Sequence, residues 1–321
     1  MPNKLINAFS SVVRVVRNIY TSILTLPKNV KDKVNNIKAE LQNEMGRGYY
    51  REKNYNRAFK WFVMAAERGH KEAQCMVGGM YATGRGVQQD CEKAFNWLKK
   101  SAEQGDAMAQ SFLASLYEEG KGVSQDYNEA IKWYTKAIDQ GYASAQEGLG
   151  RMYAEGKGVQ QDYKEAFKWF TKAAEKGVPY AQYDLGYMYS QGHGVPQNGN
   201  EAVKWYIKAA EQGDKYSQYN LGLMYDQGKG VSQDYKEAFK WYLMAAERNF
   251  APAQFNVGEM YYKGEGVNVN YIEAYKWVLL ASMNGEDITE IKQDLISKIS
   301  PEQIAEAEKR AKEFIQKKGK G

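Results

Sequence analysis

Apolar positions along this chain recur with a helical spacing, and the whole pattern repeats every 36 residues. In one unit Ala145, Leu149, Gly150 and Tyr153 fall at i, i+4, i+5 and i+8, on one face of a helix. This spacing predicts a first helix, A, whose small Ala and Gly admit a close neighbour. Gly156 and Gly158 end it, because a left-handed residue commonly stops a helix. Val159 follows, placed to plug the space under the loop. Asp162 then reads as an N-cap with Glu165 three residues on, a capping box. Asp126/Glu129, Asn198/Glu201, Asp234/Glu237 and Asn270/Glu273 repeat it. A second helix, B, carries Ala166, Trp169, Phe170, Ala173 and Ala174 on its apolar face, and Gly177 closes the unit.

Two helices of this length cannot bury their apolar faces alone, but stacked units bury them jointly. The tryptophans mark seven units: Trp61, Trp97, Trp133, Trp169, Trp205, Trp241 and Trp277, each 36 residues from the next. Their row is expected to form the centre of the shared core, each burial stabilising by roughly 2–3 kcal/mol. The prediction is an all-α solenoid of seven helix-turn-helix repeats over residues 37–288, capped by helices at both ends.

The ends break the period. Repeat one keeps Gly48, Asn54, Tyr55, Ala58 and Trp61, but its helix A is degenerate. Residues 289–321 are expected to supply C-terminal capping helices and a Lys-rich tail. There Ser300, Pro301 and Gln303 read as N-cap, N1 and N3, and Ile304, Ala307, Ala311 and Phe314 form one stripe. Residues 1–36 are set apart as a basic amphipathic N-terminal helix. Leu5, Phe9, Val12, Val16, Ile19, Ile23 and Leu26 step by four and three, with Arg14, Arg17 and Asn18 on the other face. Those polar residues argue against a transmembrane span or a signal-peptide core. Three readings stand: a cap on repeat one, a helix for a membrane surface or a partner, or a targeting presequence.

Charge sharpens this division. The net +5 arises in residues 1–36, where six basic residues face Asp32 alone, while the remainder balances at 38 basic against 38 acidic. A neutral body gives no electrostatic case for nucleic acid. Cys75 and Cys91 make no disulfide framework, which fits a reducing compartment, and a cytoplasmic location is expected, with membrane association as the alternative. His70 and His193 are scattered and read as exposed turn residues, leaving no expected metal, cofactor or catalytic site. The Gly-x-Gly loops follow a helix and lack the third Gly and the Lys of a phosphate cradle.

The unit Ala145-Gln146, Leu149-Gly150, Met152-Tyr153, Gly156-Lys157-Gly158-Val159, Asp162-Tyr163, Glu165-Ala166, Lys168-Trp169-Phe170 resembles the Sel1-like repeat, a relative of the tetratricopeptide repeat with a longer loop. Cys91 and Gly199 replace the loop Tyr, and Asn249 replaces a closing Gly. The resemblance implies a right-handed superhelix of helical hairpins acting as a non-catalytic adaptor for a protein or peptide. An immunity-type or membrane-surface factor anchored by the N-terminal helix is the alternative. Some relatives carry a disulfide in each repeat, and a weak β-lactam hydrolysis is attributed to that subgroup; this chain lacks the paired cysteines.

In related repeats helix A lines the inner groove, at positions counted from its conserved Gln. Here those columns vary while the core columns do not. The last repeats offer Tyr183, Tyr187, Tyr219, Phe255 and Tyr262, with Asn220, Asn256, Leu223 and Arg151 beside them. Aromatic anchors rimmed by amides are the expected recognition surface. Packing of these Tyr between adjacent A helices is the competing expectation.

Overall fold

The computed structural model describes residues 27–319. The segment 5–26, with its three readings, lies outside the described residues. Among the described residues there are sixteen helices and no strand, an all-α solenoid architecture. The chain divides into two compact units, the first ending at Tyr142 and the second beginning at Ala143, and each is described by itself. The first holds α1 (Lys28–Arg51), α2 (Tyr55–Glu67), α3 (Lys71–Thr83), α4 (Cys91–Glu103), α5 (Ala107–Glu119) and α6 (Tyr127–Asp139). The second holds α7 (Ala143–Glu155), α8 (Tyr163–Glu175), α9 (Pro179–Gln191), α10 (Gly199–Glu211), α11 (Lys215–Gln227), α12 (Tyr235–Ala246), α13 (Ala251–Lys263) and α14 (Tyr271–Met283). It ends with α15 (Thr289–Lys298) and α16 (Pro301–Gly319). Odd-numbered helices to α13 are the A helices of repeats one to seven, and the even-numbered helices beside them are the B helices.

The tryptophans are only in part core residues: Trp133, Trp241 and Trp277 are buried. Trp61, Trp97, Trp169 and Trp205 are half-buried, each at the edge of its hairpin. A lysine three residues on covers several of them: Lys136, Lys172 and Lys208 lie 3.9, 4.2 and 3.9 Å from the Trp133, Trp169 and Trp205 rings. The residue after each Trp is buried in every repeat: Phe62, Leu98, Tyr134, Phe170, Tyr206, Tyr242 and Val278. In six repeats it fits into a notch made by a helix A glycine, and opposite Tyr134 the position is Ala114. A Cβ on Gly186 would sit 2.6 Å from the Tyr206 ring, and one on Gly222 would sit 2.3 Å from Tyr242. The small residue in helix A and the large one in helix B are one packing unit.

The N-caps form as half of the predicted box. Asp162 accepts from the Lys164 and Glu165 amides at 2.9 and 3.0 Å. Glu165 does not reach back, because the Asp162 amide is already given to the Tyr153 carbonyl at 2.9 Å. The Glu165 carboxylate takes Lys168 instead, at 2.7 Å. The same amide-to-tyrosine bond closes the loop at Asn198, Asp234 and Asn270. It tethers the B helix start to the A helix, a task the sequence pattern alone does not reveal. At Ser300 no such tether exists, and the box is complete: Ser300 N donates to Gln303 Oε1 at 2.9 Å, and Gln303 N to Ser300 Oγ at 3.3 Å.

In the first unit α1 runs unbroken through position 36 and supplies the A helix of repeat one. Its notch is Gly46, against Phe62. His70 is a capping residue, its Nδ1 accepting from the Ala73 amide at 3.3 Å and its Nε2 meeting Glu40 at 2.9 Å. In the second unit α16 closes the stack, with Ala307 and Ala311 buried and Phe314 against Trp277 at 5.4 Å.

Candidate functional site

The predicted surface lies in the second unit, on α9, α11 and α13, with Arg151 on α7. The structure splits it. Tyr183 and Tyr219 are half-buried. Tyr183 packs against Tyr206 and Tyr216 at 5.9 and 6.0 Å, and Tyr219 against Tyr242 and Phe250 at 5.7 and 5.2 Å. The amides serve these rings. Asn220 lies beside the Tyr183 hydroxyl, and Asn256 beside those of Tyr219 and Tyr242. Burial pushes the Tyr183 and Tyr219 hydroxyls above the usual phenol range, so both stay neutral. Each amide reaches back one repeat, so these four residues join adjacent repeats. Alanine at Tyr183 or Tyr219 therefore removes packing as well as surface.

Phe255 packs on the last core cluster, and Leu223 stands at the edge of the preceding one. Tyr262 is drawn to the C-terminal cap: its hydroxyl donates to Asp294, Tyr271 lies 5.8 Å away, and Lys298 sits 5.6 Å over its ring. Arg151 pairs with Glu147 at 3.3 Å. Beside them burial, with Glu147 adding to it, holds the Asp184 carboxyl well above the usual carboxylate range.

One predicted groove column is a packing column. Glu118 is buried and accepts from the Tyr134 hydroxyl at 3.0 Å, and Asp226 faces Tyr242 at 3.5 Å. Ser190 stands at the same place beside Tyr206, its own hydroxyl donating to the Tyr187 carbonyl at 2.8 Å. Where the B helix residue is Leu98 or Phe170, the A helix position holds Ala82 or Ala154. The column varies because its partner varies.

What remains open to solvent is a set of tyrosines. Tyr187 is 43% exposed, and sequence reasoning missed Tyr180 and Tyr216, at 64% and 43%. Both sit two residues before the conserved Gln, a groove position whose occupants the pattern left unread. Lys215 lies 5.3 Å from the Tyr216 ring. Among the described residues no group of three or more His, Cys, Asp or Glu is arranged to hold a metal. Burial, with Asp106 beside it, raises the Cys75 thiol far above its usual range, which favours the thiol over the thiolate. No described helix is long and apolar enough to cross a membrane.

The Sel1 repeat matches residues 41–70, 71–106, 107–142, 143–178, 179–214, 215–250 and 251–286. The chain belongs to the Sel1 repeat family. It is similar to a Sel1 repeat protein from Oxalobacter formigenes, at 36% identity and a TM-score of 0.67, over 75% of this chain and 98% of that one. It is also similar to c5321, a protective antigen of uropathogenic Escherichia coli with an SLR fold, at 26% identity and a TM-score of 0.45. That match covers 87% of this chain and 84% of the other. An immunity protein from Pseudomonas aeruginosa, Pa5087, is similar at 21% identity and a TM-score of 0.48, over 62% and 80%. The comparison with curated proteins finds no match. Sel1 repeats, like tetratricopeptide repeats, generally mediate protein–protein interaction.

Proposed function

We propose that this Sel1 repeat chain is a non-catalytic scaffold that binds a protein or peptide partner along α9 and α11. The observation that carries this is the run of solvent-facing tyrosines Tyr180, Tyr187 and Tyr216 on consecutive A helices. Tyrosine offers large contact area at low entropy cost, which suits it to an interface. Half-buried Tyr183 and Tyr219 hold that surface rigid from beneath.

The test uses the full chain as bait and compares it with the triple variant Tyr180→Ala, Tyr187→Ala, Tyr216→Ala. A partner captured by the unaltered chain is expected to lose at least about tenfold in affinity, since anchor residues cost about 2 kcal/mol each on truncation. Helicity should be kept, and the urea midpoint should fall only by the packing of Tyr216 on Tyr183 and Phe250. Equal capture by both chains would sink the reading.

A further inference from the structure

Two cavities lie at the same place in the repeat, three periods apart. One, of about 500 Å³, is lined by Gly199, Tyr206, Leu223 and Lys229. The other, of about 220 Å³, is lined by the counterparts Cys91, Leu98, Ser115 and Lys121. Gly199 and Cys91 are the two positions where a B helix opens without tyrosine; Tyr55, Tyr127, Tyr163, Tyr235 and Tyr271 open the others.

Repeats that keep the tyrosine show what belongs there. The Tyr163 ring stacks on His193 at 4.8 Å, and its hydroxyl accepts from Gln161 Nε2 at 3.1 Å. The Tyr235 hydroxyl accepts from Gln233 Nε2 at 3.0 Å. Arg85 lies 5.8 Å over the Tyr55 ring. A phenol ring thus sits against the middle residue of the next Gly-x-Gly, with its hydroxyl on the loop glutamine.

At the larger cavity those groups are present and the ring is not. Lys229 stands where His193 and Arg85 stand, and Leu223 where Tyr187 stands beside His193. Gln197 keeps the bond its counterparts make to helix A, to the Ser190 carbonyl at 2.8 Å. Its other amide hydrogen is the one Gln161 and Gln233 give to a tyrosine. The chain cannot refill the space itself: a Cβ on Gly199 would lie 2.7 Å from Gly230 Cα.

We propose that the cavity at Gly199 receives a tyrosine side chain from the partner polypeptide. The ring lies between Lys229 and Leu223, and the hydroxyl accepts from Gln197. This rests on the partner-binding reading above and names the side chain that anchors the partner. A lysine over the ring face and an amide on the hydroxyl select a phenol over a plain aromatic ring.

The probe is 4-methylphenol, the tyrosine side chain itself, with toluene as the same ring lacking the hydroxyl. Binding to the full chain is followed by the NMR methyl signals of Leu223 and Met224. Saturable shifts are expected with 4-methylphenol, and binding at least about tenfold weaker with toluene. Leu223→Trp fills the cavity and should abolish the Met224 shift. Gln197→Leu leaves the walls in place and should bring 4-methylphenol down to the level of toluene. No saturable shift, equal binding of toluene, or a Met224 shift that survives in Leu223→Trp would overturn the assignment. Partner capture that is lost in the Tyr180, Tyr187, Tyr216 variant but unaffected by saturating 4-methylphenol would overturn the cavity alone and leave the scaffold reading intact.

Discussion

At the scale of the residue, the conserved glutamine of helix A shows how a thin structure satisfies a buried amide. Gln182 donates to the Ala174 carbonyl at 3.1 Å and accepts from Gln212 at 2.7 Å. Gln74 and Gln254 do the same, with Gln104 and Asn284 as donors. Like Gln146, Gln218 is an exception. Its Nε2 reaches the Ala210 carbonyl at 3.0 Å, but its Oε1 is buried without a partner. Arg248 stands where a Gln donor stands elsewhere, and turns to the Met244 carbonyl at 3.2 Å. Arg248→Gln is expected to complete the pair and raise stability by about 1 kcal/mol in urea unfolding. An unchanged midpoint would show that the orphaned oxygen costs nothing.

Asp184 is a second residue out of keeping with its counterparts in the two following repeats, Asn220 and Asn256. Its carboxyl, raised in the folded chain, binds a proton that the unfolded chain has released once pH exceeds the ordinary value of 3.8. Stability from this group is therefore full below about pH 4 and falls as pH rises through the folded value. Asp184→Asn should melt at a higher temperature than the unaltered chain at pH 7, with the gap closing near pH 3.5. Calorimetry at both values decides it, and a gap of equal size at both would refute the account.

At the scale of the element, the ends of the stack matter more than any single helix. A repeat in the middle is covered on both sides, whereas α13 and α14 depend on the C-terminal pair α15 and α16. Leu295, Ala307 and Ala311 are buried there, and Phe314 covers Trp277. Arg310 adds a bond to Glu273 at 2.8 Å. Removing residues 289–321 uncovers Trp277 and Val278 and should cost at least about 3 kcal/mol, the loss of two large apolar contacts. Urea unfolding with a hydrophobic dye measures both the loss and the exposure. A truncated chain with the original midpoint would show that the two helices are not a cap. The N-terminal end carries a related feature: Ile37, Leu41 and Met45 leave an exposed apolar stripe along α1. The stripe at 5–26 is the segment whose pattern matches it under the capping expectation.

At the scale of the whole molecule, the repeat was legible because packing imposes it. A notch needs a small residue, its knob a large one, and the loop a left-handed glycine, so Gly186, Tyr206 and Gly192 recur as a pattern. The same logic lets Asn249 stand for a closing glycine, at a φ of 57°, because asparagine tolerates the left-handed region. The candidate surface was less legible. Tyr183, Tyr187 and Tyr262 share a residue type, and spacing places all three on helix A. One packs against its neighbours, one faces solvent, and one meets the cap, and burial depends on the helix that arrives from the next repeat.

The sequence by itself determined the number of repeats, the two helices of each and the glycines between them, because these follow from local periods of four and thirty-six residues. Only the tertiary structure decided that the residue after each tryptophan is buried in every repeat, and the tryptophan itself in only some. It alone showed that Asn220 and Asn256 serve tyrosines of the preceding repeat, and that a missing tyrosine at Gly199 leaves a cavity. Each of these depends on which side chains meet between helices, within a repeat or across its boundary. A change at one position is felt by a residue 20 to 37 positions away, at a contact that neither period specifies.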